Sequence, residues 1–133
     1  MSPAVQRPRI LVVDDSKAVR RIVSQALAPF DCDIDEATNG FTALFAMERI
    51  SPHLLLIDVA MPTMDGVEML TMLKSHDTLR QLPVIMLTST TDHKIIPQIA
   101  ALGVEAMLRK PFSPAEVVAA VRTLVPLSPF PRV

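Results

Sequence analysis

The sequence contains the stretch Leu54-Leu55-Leu56-Ile57-Asp58-Val59-Ala60-Met61-Pro62-Thr63-Met64-Asp65-Gly66, in which four large apolar residues end at a carboxylate. A proline and a glycine then bracket a loop. An unbroken apolar run of this length is typical of a strand buried on both faces, as in a parallel sheet that is covered by helices. The carboxylate therefore lies at the carboxyl end of a predicted strand, where open α/β folds place their ligand sites.

Other segments repeat this pattern of an apolar run that stops at a polar functional group. They are residues 10–13 before Asp14 and Asp15, residues 84–87 before Thr88, and residues 106–109 before Lys110. Residues 32–37 differ, because apolar and acidic side chains alternate there, and this alternation predicts a half-exposed strand at the edge of the sheet.

Helices are predicted between the strands, because apolar residues recur at the spacing of one buried helical face. Ser16 is the expected cap of the first helix, and Ser113-Pro114-Ala115-Glu116 is a capping box with proline at the first position of the last. After the turn at Asn39-Gly40, Phe41, Leu44 and Phe45 begin a second amphipathic helix that stops before Pro52.

The fourth helix is harder to place. Asp92 is a plausible cap, but Pro97 would then lie inside the helix, where it costs about 3 kcal/mol. The helix therefore either starts late, near Ile95 or Ile96, or is kinked.

Five strands that alternate with five helices predict a doubly wound α/β domain. The polar second strand fits a sheet edge, which is compatible with a five-stranded parallel sheet of order 2-1-3-4-5, the flavodoxin-like arrangement. We assign residues 8–125 to this domain and residues 126–133 to a proline-rich tail or the start of a linker.

Composition excludes several classes of protein. A chain of 133 residues, half of them apolar, suits one globular domain, and a net charge of -1 without a basic run argues against direct nucleic-acid binding. No apolar run is long enough to cross a membrane, and residues 1–9 lack the apolar core of a signal peptide. The single cysteine, Cys32, suits a reducing compartment, so we expect a cytoplasmic protein. The only glycines, Gly40, Gly66 and Gly103, form neither a P-loop nor a dinucleotide-binding motif.

The polar groups at the strand ends form one predicted constellation, because the carboxyl ends of parallel strands share an edge. Three carboxylates at that edge, Asp14, Asp15 and Asp58, repel one another and need a cation, and hard oxygen ligands suit Mg²⁺. Thr88 adds a hydroxyl donor and Lys110 a positive charge. Phosphoryl transfer uses these same groups: a carboxylate nucleophile, a divalent ion, and donors to the transferred oxygens.

The same residues resemble a known family. Asp14-Asp15, Asp58 followed by Met61-Pro62 and Met64-Asp65-Gly66, Thr88-Ser89, and Lys110-Pro111-Phe112 are similar to the motifs of the receiver domain of two-component response regulators, of the chemotaxis-regulator type. The resemblance covers residues from about 8 to 125, with the motifs in the family's order and spacing.

The resemblance implies a role for each motif residue. Asp58 would accept a phosphoryl group from a phosphohistidine on a sensor histidine kinase or phosphotransfer protein. Mg²⁺ would be held by Asp58, Asp15, the backbone carbonyl of Ala60 and, through water, Asp14. Thr88, Lys110 and the Ser89 backbone N–H would contact the phosphoryl group. The bond before Pro111 is often cis in such domains.

It also implies an output. Phosphorylation adds negative charge and acceptor oxygens at the rim, which would reshape the face formed by the fourth helix, fifth strand and fifth helix. A downstream protein, an output domain or a second receiver would dock on that face, the last giving a homodimer. Such a domain catalyses only its own phosphorylation and dephosphorylation, so we do not expect an enzyme that acts on other substrates.

Two departures leave an alternative open. Met107 stands where the family usually has a switching Tyr, Phe or His, and Pro97 alters the fourth helix on the same output face. The chain is therefore either a phosphorylatable switch or a receiver-like scaffold that binds a partner without a working phosphoryl cycle. The complete set of motif residues favours the switch. A metal-dependent enzyme for external substrates is the weakest reading, since no substrate pocket is indicated.

Overall fold

The computed structural model describes residues 7–130. Strands and helices alternate in the order β1 (Arg9–Val13), α1 (Lys17–Leu27), β2 (Asp33–Ala37), α2 (Gly40–Ala46), β3 (Leu54–Asp58), α3 (Gly66–Lys74), β4 (Val84–Thr88), α4 (Ile96–Leu102), β5 (Ala106–Arg109) and α5 (Pro114–Arg122). Two 3-10 turns, Leu79–Gln81 and Thr90–Asp92, precede β4 and α4. Most of the segment assessed for a signal peptide, residues 1–6, and the end of the tail, residues 131–133, lie outside the described residues.

The five strands form one parallel sheet in the order β2-β1-β3-β4-β5. This confirms the predicted doubly wound, flavodoxin-like topology and places the alternating acidic strand β2 at an edge. All five residues of β3 and all five of β4 are buried, whereas β2 buries only its last residue, Ala37. The polarity of a strand thus follows its place in the sheet.

Each face of the sheet carries its own apolar core. Alternate residues of the central strands point to opposite faces, so that Leu54 and Leu56 join one core while Leu55 and Ile57 join the other. Helices α1 and α5 cover the first face, and α2, α3 and α4 cover the second. Among residues 7–130 no helix is both long and apolar enough to span a membrane.

Helix starts follow the predicted capping residues, with one exception. The Ser16 hydroxyl accepts the Val19 N–H at the start of α1, and Ser113 forms a capping box with Glu116 at the start of α5. Helix α4 begins late, at Ile96, so Pro97 lies in the first turn, where no hydrogen bond is lost. The expectation that Asp92 caps this helix is wrong, because Asp92 instead closes the preceding 3-10 turn.

Helix α2 differs most from its sequence pattern. It turns Gly40 and Ala43 toward the sheet, while Phe41 and Phe45 remain 57% and 61% exposed. The loop after β3 comes close at the start of this helix: a Cβ on Gly40 would lie 2.8 Å from the Met64 Cγ and 3.0 Å from the Met64 carbonyl oxygen. Leu44, one turn beyond Gly40, packs on the same core, and the two phenylalanines lie outside this buried face.

The chain folds back after α5. The helix ends at Arg122, earlier than its apolar pattern indicates, yet Val125 is buried against the α1 and α5 core. Ser128 to Phe130 then run antiparallel to Pro29–Asp31, with the Asp31 N–H donating to the Ser128 carbonyl and the Phe130 N–H to the Pro29 carbonyl, both at 2.8 Å. The described part of the tail is therefore packed on the domain.

Candidate functional site

Three carboxylates meet at the carboxyl edge of the sheet. Asp58 is the last residue of β3, and Asp14 follows directly after β1, whose Val13 is level with Ile57. One carboxylate oxygen each from Asp14, Asp15 and Asp58 lies within 4.8 Å of the others. Asp14 is fully buried and Asp58 is 6% exposed, while Asp15 is exposed to solvent. The predicted convergence of these residues is therefore found in the structure.

Lys110 joins two of the three carboxylates. Its Nζ lies 2.8 Å from Asp14 Oδ2 and 2.9 Å from Asp58 Oδ1. Strand β5 brings the lysine to this position, since Lys110 follows β5 directly and its N–H donates to the Thr88 carbonyl at 2.7 Å. The Lys110–Pro111 peptide bond is cis. One positive charge thus faces three negative charges.

Two residues orient Asp14: Ser16, which the sequence predicted only as a helix cap, and Arg20, which it did not single out. The Ser16 N–H donates to Asp14 Oδ1 at 2.8 Å, and Arg20 in α1 donates to the Asp14 carbonyl at 2.7 Å. The first contact is a local one, an Asp side chain accepting from the residue two positions on, and could have been expected from the sequence. No sequence signal indicates the second, because it depends on how α1 packs against β1.

Burial and the neighbouring charges change the proton affinity of this site. Burial is the largest cause and raises the pKa of Asp58 to about 6, with Asp14 and Asp15 adding to the rise and Lys110 opposing it. Burial also disfavours the charge on Lys110, but its hydrogen bonds to Asp14 and Asp58 outweigh burial and raise the pKa of the lysine. The lysine therefore stays protonated, while Asp58 titrates close to neutral pH.

The donor set fits a hard divalent cation. Three carboxylates within reach of one another supply oxygen ligands, which Mg²⁺ prefers, and Lys110 alone does not balance their charge. No hydrogen bond or ion pair among residues 7–130 involves the Asp15 carboxylate, so this group is available as a ligand. A cation held by Asp14, Asp15 and Asp58 would supply the missing positive charge.

Thr88 ends β4, one position beyond Leu87, which is level with Asp58 of β3, and Ser89 follows it. Thr88 is 3% exposed, and its hydroxyl takes part in no hydrogen bond among the described residues. The Ser89 N–H, in contrast, is already used: it donates to Asp92 Oδ2 at 2.7 Å, and the Ser89 hydroxyl donates to the same oxygen at 3.0 Å. The Ser89 N–H could donate to another group only if its hydrogen bond to Asp92 were broken.

The other predicted residues lie outside the carboxylate cluster. Ala60 is an exposed residue of the loop after β3, two positions beyond Asp58. Met107 in β5 is partly buried and packs on the core beneath α3 and α4, level with Met86 of β4. Pro97 is exposed in the first turn of α4. Met107 and Pro97 therefore belong to the α4 and β5 side of the molecule.

Comparison with known proteins agrees with this geometry. The family described as response regulator receiver domain matches residues 10–122. Protein PilG of Pseudomonas aeruginosa is 32% identical over 118 residues, which cover 89% of this chain and 87% of PilG. The transcriptional regulatory protein SrrA of Staphylococcus aureus is 37% identical over 117 residues, but the match covers 87% of this chain and only 47% of SrrA. The chain thus spans about half of that longer relative.

A solved structure shows the same architecture. The chemotaxis response regulator CheY4 of Vibrio cholerae superimposes with a TM-score of 0.82 at 27% sequence identity, over 90% of this chain and all of CheY4. This chain belongs to the family of receiver domains of two-component response regulators.

Proposed function

We propose that this domain is a Mg²⁺-dependent phosphorylation switch whose phosphoryl acceptor is Asp58. The donor would be a phosphohistidine on a sensor histidine kinase or a phosphotransfer protein. One observation carries the proposal: the Lys110 Nζ lies 2.9 Å from Asp58 Oδ1 and 2.8 Å from Asp14 Oδ2, and these two carboxylates form with Asp15 a cluster that could hold a metal ion. Nucleophile, counter-charge and candidate metal ligands thus occupy one small volume.

The reaction is a transfer between two nucleophiles. An Asp58 carboxylate oxygen attacks phosphorus, the phosphorus–nitrogen bond of the phosphohistidine breaks, and its electron pair returns to the imidazole, which takes up a proton. The negative charge on the transferred oxygens needs donors. Lys110 supplies a protonated amine, and Thr88, a residue that is 3% exposed, a hydroxyl that has no competing hydrogen bond among the described residues. Hydrolysis of the acyl phosphate by water returns the carboxylate.

Metal ligands are assigned to the acidic cluster. Asp15 and Asp58 would hold Mg²⁺ directly, Asp14 mainly through water, and the Ala60 carbonyl would complete the protein ligands. The bound ion would neutralise charge on the phosphoryl oxygens. Buried Asp14, oriented by Ser16 and Arg20, would keep its position throughout the reaction.

Output would begin at the Ser89–Asp92 contact. A phosphoryl group on Asp58 offers acceptor oxygens that compete with Asp92 for the Ser89 N–H. Release of Asp92 would free the turn before α4, whose first residues include Pro97. The face formed by α4, β5 and α5, with Met107 packed beneath it, would then change its shape. This change would alter how the face binds a downstream protein, an output domain or a second receiver. A reducing, cytoplasmic setting fits the buried thiol of Cys32.

The alternative is a receiver-like scaffold without a working phosphoryl cycle. Met107 favours it, since a thioether offers neither the ring nor the hydroxyl that the family uses to couple the site to the output face. Neither function requires a reaction on an external substrate.

The experiment is incubation with acetyl phosphate, with and without Mg²⁺, followed by intact-mass measurement. We expect a gain of one phosphoryl group that needs Mg²⁺ and is absent in Asp58→Asn. Thr88→Ala should lower the yield while keeping the fold, since the hydroxyl makes no structural contact. An adduct that persists in Asp58→Asn would refute the assignment, and failure of both acetyl phosphate and phosphorylated kinases to modify the folded protein would favour the scaffold.

A further inference from the structure

Helix α2 presents the most exposed pair of large apolar side chains in the described part of the chain. Phe41 and Phe45 are 57% and 61% exposed and lie one helical turn apart. The other large apolar residues with substantial exposure, Met72 and Phe130, are somewhat less exposed and stand singly on other elements. Adjacent exposed aromatic rings are costly in water and are typical of a surface that another protein covers.

The two rings line a groove between α2 and the edge strand β2. Its volume is about 470 Å³. Apart from the phenylalanines it is lined by Glu36, Ala37, Thr38, Thr42, Ala46 and Arg49. Because β2 is the last strand on this side of the sheet, no further element of residues 7–130 covers the groove.

The ends of the groove carry opposite charges. Glu36 lies near the carboxyl end of β2, beside the start of α2 and Phe41. Arg49 lies at the other end, one turn beyond Phe45 in the turn that follows α2. Glu36 uses one oxygen to accept from Arg20 at 2.8 Å, and Arg49 takes part in no ion pair or side-chain hydrogen bond among the described residues. Arg49 therefore has its charge available for a partner.

We propose that a second copy of this chain covers the groove, so that the domain forms a symmetric dimer through α2 and the β2 edge. In a two-fold dimer each patch meets its own copy and must be complementary to itself. An antiparallel pairing of the two α2 helices does this. It places Phe45 of both copies beside the axis and sets Arg49 of each copy against Phe41 and Glu36 of the other.

This pattern fits a second copy better than an unrelated partner. An unrelated partner needs no balance between the two ends of the groove, whereas an acid at one end and a base at the other make the patch complementary to itself across a two-fold axis. The contact is separate from the α4, β5 and α5 face and from the phosphorylation site, so the inference does not depend on the proposed function. Because the apolar area is small, the dimer is expected to be weak and concentration-dependent.

The first test is sedimentation velocity over a concentration series that extends into the millimolar range. We expect a monomer–dimer equilibrium that Phe45→Lys weakens at least ~tenfold. Met72→Lys is the matched control, because it puts the same charge on an exposed apolar position of α3 and should leave the equilibrium unchanged. Circular dichroism and thermal unfolding show whether each variant is folded. A monomer at every concentration overturns the proposal, as does a dimer that Phe45→Lys does not weaken.

The second test exchanges the charges at the ends of the groove. Arg49→Glu alone should weaken the dimer, because it places two acids at each end of the interface. Glu36→Arg combined with Arg49→Glu should restore association. Failure of the exchange to restore a dimer that Arg49→Glu has weakened would overturn the antiparallel arrangement.

A covalent test locates the axis. In a Cys32→Ala background, Phe45→Cys should form a disulfide-linked dimer under mild oxidation much faster than Met72→Cys. Equal rates for the two positions would argue against an axis beside Phe45.

Discussion

The charge of Asp58 is the central residue-scale feature of this protein. A carboxylate that is 6% exposed has lost most of its hydration, and its pKa of about 6 reports that loss together with the repulsion from Asp14. Lys110 lowers the pKa of Asp58, but it does not offset the rise that burial causes. The folded domain thus holds a nucleophile in an unfavourable environment, which both a bound cation and a phosphoryl group would change.

This environment predicts a dependence of stability on pH. The folded state keeps the Asp58 proton up to about pH 6, whereas the unfolded chain releases it near pH 3.8. Because the folded state binds more protons in this interval, the contribution of Asp58 to the free energy of unfolding falls as pH rises from about 4 to about 6.

Asp58→Asn removes this contribution. In chelator-treated buffer at pH 7.5, we expect the variant to be more stable than the parent protein by about 3 kcal/mol, from a shift of roughly two pKa units. The difference should shrink toward zero near pH 4. Urea unfolding of both proteins at several pH values measures it. A pH-independent difference would show that Asp58 is not the titrating group.

Thr63 is the second notable residue, because its φ of 68° places a β-branched side chain in the left-handed region. Replacement by glycine removes a steric cost of about 1–2 kcal/mol but adds about 0.5–1 kcal/mol of unfolded-state entropy. We expect Thr63→Gly to stabilise the protein by about 1 kcal/mol, measured as a higher melting temperature. Thr63→Ala, which keeps a Cβ, should give little of this gain.

At the scale of elements, the site depends on how closely α3 approaches β3. Gly66 begins α3, and its N–H donates to the Val59 carbonyl at 2.8 Å. A Cβ at this position would lie 2.0 Å from the carbonyl oxygen of Asp58. The glycine therefore permits a contact between the helix start and the strand end that carries the nucleophile.

Gly66→Ala should break this junction. The strand end and the helix start must separate, so we expect a loss of at least about 3 kcal/mol in the free energy of unfolding and a large fall in phosphorylation of Asp58. Urea titration and intact mass measure the two effects. Thr71→Ala, on the exposed side of the same helix, is the control. If Gly66→Ala left both quantities unchanged, the junction would not have the rigidity inferred here.

At the scale of the whole molecule, the two ends of the parallel strands have different contacts. The carboxyl ends carry the acidic cluster. At the amino ends, the end of the described chain packs on the domain. The ring centroid of Phe130 lies 5.5 Å from the guanidinium carbon of Arg7, and the ring centroid of Phe30 lies 5.3 Å from that of Arg122. The described part of the tail is thus packed on the domain, at the strand ends opposite the acidic cluster.

Truncation tests this role. A chain that ends at Val125 loses the two tail hydrogen bonds and the contact between Arg7 and Phe130, and we expect its free energy of unfolding to fall by about 1–2 kcal/mol. Phosphorylation by acetyl phosphate should persist, because the tail lies far from Asp58. A chain that ends at Phe130 is the reference for both measurements, because it keeps the two tail hydrogen bonds and the contact with Arg7.

The sequence was sufficient for the sheet and for the membership of the candidate site. Runs such as Leu54–Ile57 and residues 84–87 report burial on both faces directly, and β2 shows its edge position through its acidic alternation. The site residues follow from the same signal, because each stands where an apolar run stops and parallel strands share that edge. These features are local in sequence, so they could be recognised without coordinates.

Contacts between distant segments required the tertiary structure. Phe41 and Phe45 lie on the exposed side of α2, while Gly40 packs against Met64 from the loop after β3. Ser128 to Phe130 pack on Pro29–Asp31, about a hundred residues earlier in the chain, although a proline-rich end also suits a free tail. In each case the outcome depends on which side chains compete for the same space or the same hydrogen bond, and the linear pattern of apolar and polar residues does not contain that information.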